Sequence, residues 1–193
     1  LFRSALPVDG FAGRVSEMAA LGEALADPGV ACVIATGLGG VGKTALVQHF
    51  AATLAPSRFD EGAWIDARDL PAELGRVAKR FGWRDADRSP TVDEAARFLR
   101  AALADRAVLL VIDNVDIGVA DARALPVPGL VGPGRCRTVI TSRIVTLNED
   151  LGRTARMLRL GTWDDATCRA QLRAAVPALA GVADADLDAL ARR

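Results

Sequence analysis

Five short apolar runs recur along the 193-residue chain: VACVIAT (30–36), AWIDA (63–67), AVLLVID (107–113), CRTVITS (136–142) and ARMLRL (155–160). Segments with a helical period separate them, and runs this short and this apolar read as buried strands. Met18, Leu21 and Leu25 share one helical face, Leu46, Val47, Phe50 and Leu54 a second. Phe98, Leu99, Ala102 and Leu103 share a third, behind a Thr91–Glu94 capping box. Strand alternating with helix predicts an α/β three-layer fold, a parallel five-stranded sheet covered on both faces. Between Asp113 and Cys136 the chain carries Pro126, Pro128, Pro133 and four glycines, so that stretch reads as loop. After Leu160 the strand pattern stops. Thr162 and Asp165 suggest a second capping box, and the remaining residues read as helices with no strand to return to. The expected division is an α/β domain over residues 1–161 and the beginning of a helical unit over 162–193, cut short.

Hydrophobic residues make up 51% and charged residues 25% of the chain, and the formal net charge is zero. That balance describes a packed domain with no general attraction for nucleic acid or for an anionic membrane surface. The longest apolar run, Ala107 to Ile112, is too short to span a bilayer, and a cytoplasmic location is the expectation. Cys32, Cys136 and Cys168 have neither CxxC nor metal-ligand spacing and read as reduced structural thiols. Arginine supplies nearly all the positive charge; Lys43 and Lys79 are the only lysines.

Lys43 lies in GLGGVGKT (37–44), directly after the first strand-like run and before a helical one. The octet fits G-x-x-x-x-G-K-[ST], whose glycines let backbone N–H groups turn inward around phosphate oxygens. Gly37, Gly39, Gly40 and Gly42 would serve that purpose, at backbone angles that residues with side chains resist. Lys43 would reach the terminal phosphates, and Thr44 would ligate Mg²⁺ at a helix N-terminus whose dipole favours the anion. Asp113 ends the apolar run VLLVID, where a carboxylate can hold the same Mg²⁺. Arg143, in TSR after the fourth strand, is placed to contact a terminal phosphate. FAGR (11–14) precedes the first helix.

Together, LP (6–7), FAGR (11–14), GLGGVGKT (37–44), AWIDA (63–67), LLVIDNVD (109–116) and TVITSR (138–143) resemble, in this order, the nucleotide-binding domain of STAND-class P-loop NTPases, specifically the NB-ARC or AP-ATPase group. The resemblance implies an ATP- or ADP-binding, Mg²⁺-dependent molecular switch with slow or absent hydrolysis. It implies that Phe11 and Ala12 flank the adenine, with Arg14 completing that edge. Gly42, Lys43, Thr44 and Ala45 would hold the phosphates, Gly37, Gly39, Gly40 and Val41 of the same loop would belong to the nucleotide-binding set, and Arg143 would act as sensor. Thr44 and Asp113 would serve the metal. Many relatives carry a second acidic residue directly after this aspartate; here it is Asn114, which cannot take a proton from water. Asp116 stands two residues further on as a candidate substitute. The partners implied are adenine nucleotide, a C-terminal lid, winged helix and sensor repeats of the same protein, and an ATP-dependent self-oligomer of the full-length molecule.

Two other readings share the loop. A small-molecule kinase needs an acceptor pocket and a basic lid, and leaves FAGR unexplained. An AAA+ remodelling ATPase needs a catalytic acid after Asp113, and Asn114 weighs against it. His49, the only histidine, reads as structural or exposed; Trp64 reads as core, Trp83 and Trp163 as packing at element ends.

Overall fold

The computed structural model describes residues 8–84, 88–115, 125, 135–147 and 151–191. Its strands are β1 (Cys32–Thr36), β2 (Glu61–Asp66), β3 (Val108–Asp113), β4 (Arg137–Ser142) and β5 (Ala155–Arg159). They form one parallel sheet in the order β2-β3-β4-β1-β5. The helices are α1 (Val15–Ala26), α2 (Lys43–Thr53), α3 (Leu70–Arg80), α4 (Val92–Leu103), α5 (Asp165–Ala175) and α6 (Asp184–Ala191). All five expected strands are present, each within two residues of its expected limits.

The period-two alternation of each strand separates two cores. Ile34, Ile65, Leu110, Ile112 and Ile140 face α3 and α4, packing on Leu74, Val77 and Leu99. Val33, Ala35, Leu109, Val111 and Val139 face the other way, onto Leu21, Leu46, Val47 and Phe50 of α1 and α2. Cys32 and Cys136 belong to the first core, where burial pushes the Cys136 thiol up to about 12 and keeps it protonated.

Helix α3 is absent from the sequence reading because Pro71 and Gly75 interrupt its pattern. Proline is tolerated in the first turn, where the N–H it lacks would have no helical partner. Gly75 is buried on the core side. Two arginines of α3 cover carbonyls of the edge strand: Arg76 Nη2 donates to Trp64 O at 2.7 Å and Arg80 Nη1 to Gly62 O at 3.0 Å. Guanidinium groups on these carbonyls remove acceptors that an added strand would need.

The Thr91–Glu94 capping box is present in both halves, Glu94 N donating to Thr91 Oγ1 at 3.3 Å and Thr91 N to Glu94 Oε2 at 2.9 Å. The expected Thr162–Asp165 box is not. Asp164 is the N-cap of α5, its Oδ1 accepting from Thr167 N at 2.7 Å. An aspartate there caps at least as well as a threonine, which leaves Thr162 outside the helix. Helices α5 and α6 are tied together by Arg169, paired with Asp184 and Asp188, and by Arg173, which donates to Val182 O and Asp184.

Candidate functional site

The sheet order builds the site. Strand β4 lies between β1 and β3, so the loop leaving β1 and the carboxylate ending β3 flank one intervening strand at the carboxyl edge. Open α/β sheets bind ligands at that edge. Thr44 Oγ1, in the first turn of α2, donates to Asp113 Oδ1 at 2.8 Å. The Thr141 hydroxyl, from the intervening strand, donates to the same oxygen. Asn114 Nδ2 donates to Asp113 Oδ2 at 3.2 Å, and Asn114 N to Thr141 Oγ1 at 3.0 Å. Asp113 is buried, with hydrogen bonds on both oxygens.

The glycine loop runs from Gly37 to Gly42, and Gly42, at φ 96°, is the N-cap of α2. Lys43 folds back across it, Nζ donating to Gly37 O and Leu38 O at 2.9 Å each. Of the four glycines expected at angles that other residues resist, Gly39 is an exception: its φ is not positive, and a Cβ there would meet nothing within 4 Å. Gly37, at φ 156°, is required by close approach as well, a Cβ there falling 2.5 Å from Leu160 O.

Two cavities meet at this loop. One, of about 580 Å³, is bordered by Gly39, Gly40, Gly42, Lys43, Thr44, Ala45, Asn114 and Arg143. Arg68, from the turn after β2, lies on its wall as well. The other, of about 370 Å³, is bordered by Phe11, Ala12, Arg14, Val41 and Trp163, and shares Gly40, Gly42 and Ala45 with the first. A molecule with an anionic end and a flat apolar end matches a pair of cavities joined in this way. The described candidate residues are therefore gathered around one loop. Asp116, Leu6 and Pro7 lie outside the described residues.

Phe11 stacks on His49 of α2, ring centroids 4.1 Å apart and planes 10° from parallel, which gives the sole histidine a packing partner. Arg14 has left-handed backbone (φ 58°) and is buried. Its guanidinium donates to Val41 O at 3.0 Å, Gly161 O at 2.7 Å and Glu17 Oε1 at 2.6 Å. Arg14 thus ties the glycine loop to the chain leaving β5.

Sequence pattern gives no site role to Asp66, Arg68 or Thr141, and Trp163, read as packing at an element end, borders the 370 Å³ cavity. A signal for Asp66 was present: it ends an apolar strand as Asp113 does, and the two are register partners. The guanidinium of Arg68 beside it holds the Asp66 carboxyl down to about 2. Trp64, expected in the core, is half-buried on the wall of a third cavity of about 450 Å³ that also touches Thr44 and Asp113.

A glycine loop between a sheet strand and a helix, with its threonine bonded to a strand-end aspartate two strands away, defines a P-loop NTPase site. Residues 15–168 match the NB-ARC domain family, and the chain belongs to that family of STAND-class P-loop NTPases. It is 34% identical over 148 residues to regulatory protein AfsR of Streptomyces griseus, covering 71% of this chain and 15% of that protein. With regulatory protein AfsR of Streptomyces coelicolor the identity is 32% over 133 residues, covering 65% of this chain and 13% of that protein. The chain thus spans a small part of the length of these relatives. Among solved structures, a STAND protein with a tetratricopeptide repeat sensor from Pyrococcus horikoshii superposes with TM-score 0.66 at 16% identity, over 98% of this chain and 28% of that one. Cdc6p from Pyrobaculum aerophilum superposes with TM-score 0.59 at 17% identity, over 89% of this chain and 51% of that one. These two likenesses concern the fold. Family membership is consistent with a nucleotide-binding switch module and with potential NTPase activity. Among the described residues no helix is long and apolar enough to cross a membrane.

Proposed function

We propose that this chain is the ATP/ADP-binding switch module of a longer cytoplasmic regulatory or defence protein. The observation that supports it most directly is the Thr44–Asp113 hydrogen bond at 2.8 Å beside the Lys43 ammonium. A hydroxyl and a carboxylate in contact form a hard-oxygen pair suited to Mg²⁺. Open space around Gly39, Gly40 and Gly42 suits a phosphate chain. When bound, Mg²⁺ would neutralise phosphate charge, with Thr44 and Asp113 as its holders. Lys43 and the N-terminus of α2 would bind the phosphates, Arg143 would contact the terminal one, and Phe11, Ala12, Val41 and Ala45 would border the base. Arg14 would act by fixing Val41.

The module would control self-assembly or effector output through lid, winged-helix and sensor domains of the same protein. In this reading residues 1–161 are the nucleotide-binding domain and 162–193 begin the lid, with nucleic acid and membrane not bound directly by these residues. Because a carboxylate only accepts, Asn114 turns its amide nitrogen to Asp113 and to Asp66 Oδ1 (3.2 Å), and offers no base to water. Turnover of about 10⁻² s⁻¹ or less is therefore expected, against about 10 s⁻¹ for an ordinary enzyme. Phosphate release at several per second from the purified chain would favour an AAA+ motor instead.

The kinase reading has one observation of its own, the 450 Å³ cavity beside Thr44 and Asp113. Phosphoryl transfer to a small acceptor, faster than hydrolysis, would support it.

Asp113→Ala tests the metal pair. It leaves the hydroxyls of Thr44 and Thr141 without their acceptor. The expected result is that calorimetry with and without Mg²⁺ gives the same, weakened ADP affinity. A variant whose binding still tightens with Mg²⁺ would remove Asp113 from the metal assignment.

A further inference from the structure

The switch reading leaves Asp66 and Arg68, at the end of β2, without a role. Asp66 Oδ1 accepts from Arg68 N at 3.1 Å and from Asn114 Nδ2 at 3.2 Å. Its two oxygens also take Arg68 Nε, at 3.0 Å each, and Oδ2 takes Arg68 Nη2. A planar guanidinium held on one side through Nε and Nη2 has its third nitrogen fixed in direction. That nitrogen, Nη1, donates to no group among the described residues, while Arg68 borders the same cavity as Lys43, Thr44 and Arg143.

A surface ion pair within one tight turn is ordinarily a local cap that contributes little. Two features exceed that explanation here. Asp66 also reaches Asn114, the residue after Asp113, so the turn is tied to the metal-side carboxylate rather than to solvent. In addition, the Arg68 side chain is 74% exposed yet held by a complete fork, so its position does not depend on burial.

We propose that Arg68 is a ligand of the terminal phosphate of a bound nucleoside triphosphate, and that Asp66 is the positioning residue that aims Nη1 at it. This rests on the switch reading and deepens it. The cavity then takes one cation from the start of α2, one from the turn after β2 and one from just after β4: Lys43, Arg68 and Arg143. Arg68 acts only where a terminal phosphate exists, so it discriminates triphosphate from diphosphate.

Calorimetry with Mg²⁺-ADP and a Mg²⁺-bound non-hydrolysable ATP analogue, on the whole chain, tests this. In Arg68→Ala the ratio of triphosphate to diphosphate affinity is expected to fall about tenfold from its value in the unaltered chain. Arg68→Lys keeps the charge and loses the fork, and is expected to restore less than half of that ratio on a logarithmic scale. Asp66→Ala is expected to lower the ratio in the same direction. The double variant should be no worse than Arg68→Ala, because one residue acts through the other. An unchanged ratio in Arg68→Ala, with its melting temperature retained, overturns the proposal and leaves the switch reading standing. Additive losses in the double variant overturn the positioning role of Asp66. If the unaltered chain binds neither nucleotide, the switch reading fails and this proposal fails with it.

Discussion

Lys43→Ala is expected to abolish measurable binding of ADP and ATP while leaving the fold intact. The ammonium spans the loop, 2.9 Å from Gly37 O and from Leu38 O, so it is held over the concave side before any anion arrives. Its removal takes a full positive charge from the cavity beside the glycine loop. Charge-assisted hydrogen bonds contribute about 1.5–3 kcal/mol each, and two such bonds correspond to a loss of two or more orders of magnitude in affinity. The loop that Lys43 crosses is exposed over Leu38, Gly39 and Gly40, so little packing is disturbed. A melting temperature within about 2–4 °C of the unaltered chain is expected for a change of up to ~1 kcal/mol in a domain of this size. Unchanged ADP affinity in calorimetry would remove the loop from the site assignment.

That part of the site is local, and local features are what the sequence displays. Gly37 to Thr44 form one strand-loop-helix unit, and its spacing identifies it without reference to the rest of the chain. The five strands are legible for the same reason, each being a short apolar run bounded by polar or turn-forming residues. What local pattern cannot supply is the lateral order of the strands. Asp66 and Asp113 end similar apolar runs, but only the pairing of β2 with β3 makes them neighbours. Thr141 likewise meets Asp113 because β4 lies beside β3.

Arg14 shows the same limit in another form. Family resemblance implies a place at the nucleotide edge, and Arg14 borders the 370 Å³ cavity that also touches Phe11 and Trp163. Its strongest visible attachments, however, are to Glu17, three residues away, and to Val41 O and Gly161 O, 27 and 147 residues away. Those carbonyls come together only when β1 and β5 pair, which places Leu160 N 2.7 Å from Thr36 O. Helix α3 was hidden by composition rather than distance: Pro71 and Gly75 read as breakers until the first-turn position of the proline is known.

The contact between the phosphate loop and the chain leaving β5 makes Gly37→Ala the most disruptive single methyl that can be added to this loop. The new Cβ would fall 2.5 Å from Leu160 O and 3.1 Å from Val41 Cγ1. The side chain of Val41 can turn, but Leu160 O is backbone, in a residue whose N–H donates to Thr36 O at 2.7 Å and whose side chain is buried in the second core. Relief requires moving β1 and the exit of β5 apart. A cost of about 3 kcal/mol is expected, which lowers the melting temperature by roughly 6–12 °C in a domain of this size. Gly39→Ala is the matched control: its Cβ meets nothing within 4 Å and its φ is not positive, so it should melt at the same temperature or slightly higher. The displacement in Gly37→Ala would also reach Gly161, whose carbonyl holds Arg14, and through Arg14 would loosen Val41 on the far side of the loop. Nucleotide affinity should therefore fall in Gly37→Ala even at temperatures where it remains folded. Equal melting temperatures for the two variants would show that the loop separates freely from Leu160, and that the phosphate loop and the helices following β5 are not mechanically joined through this contact.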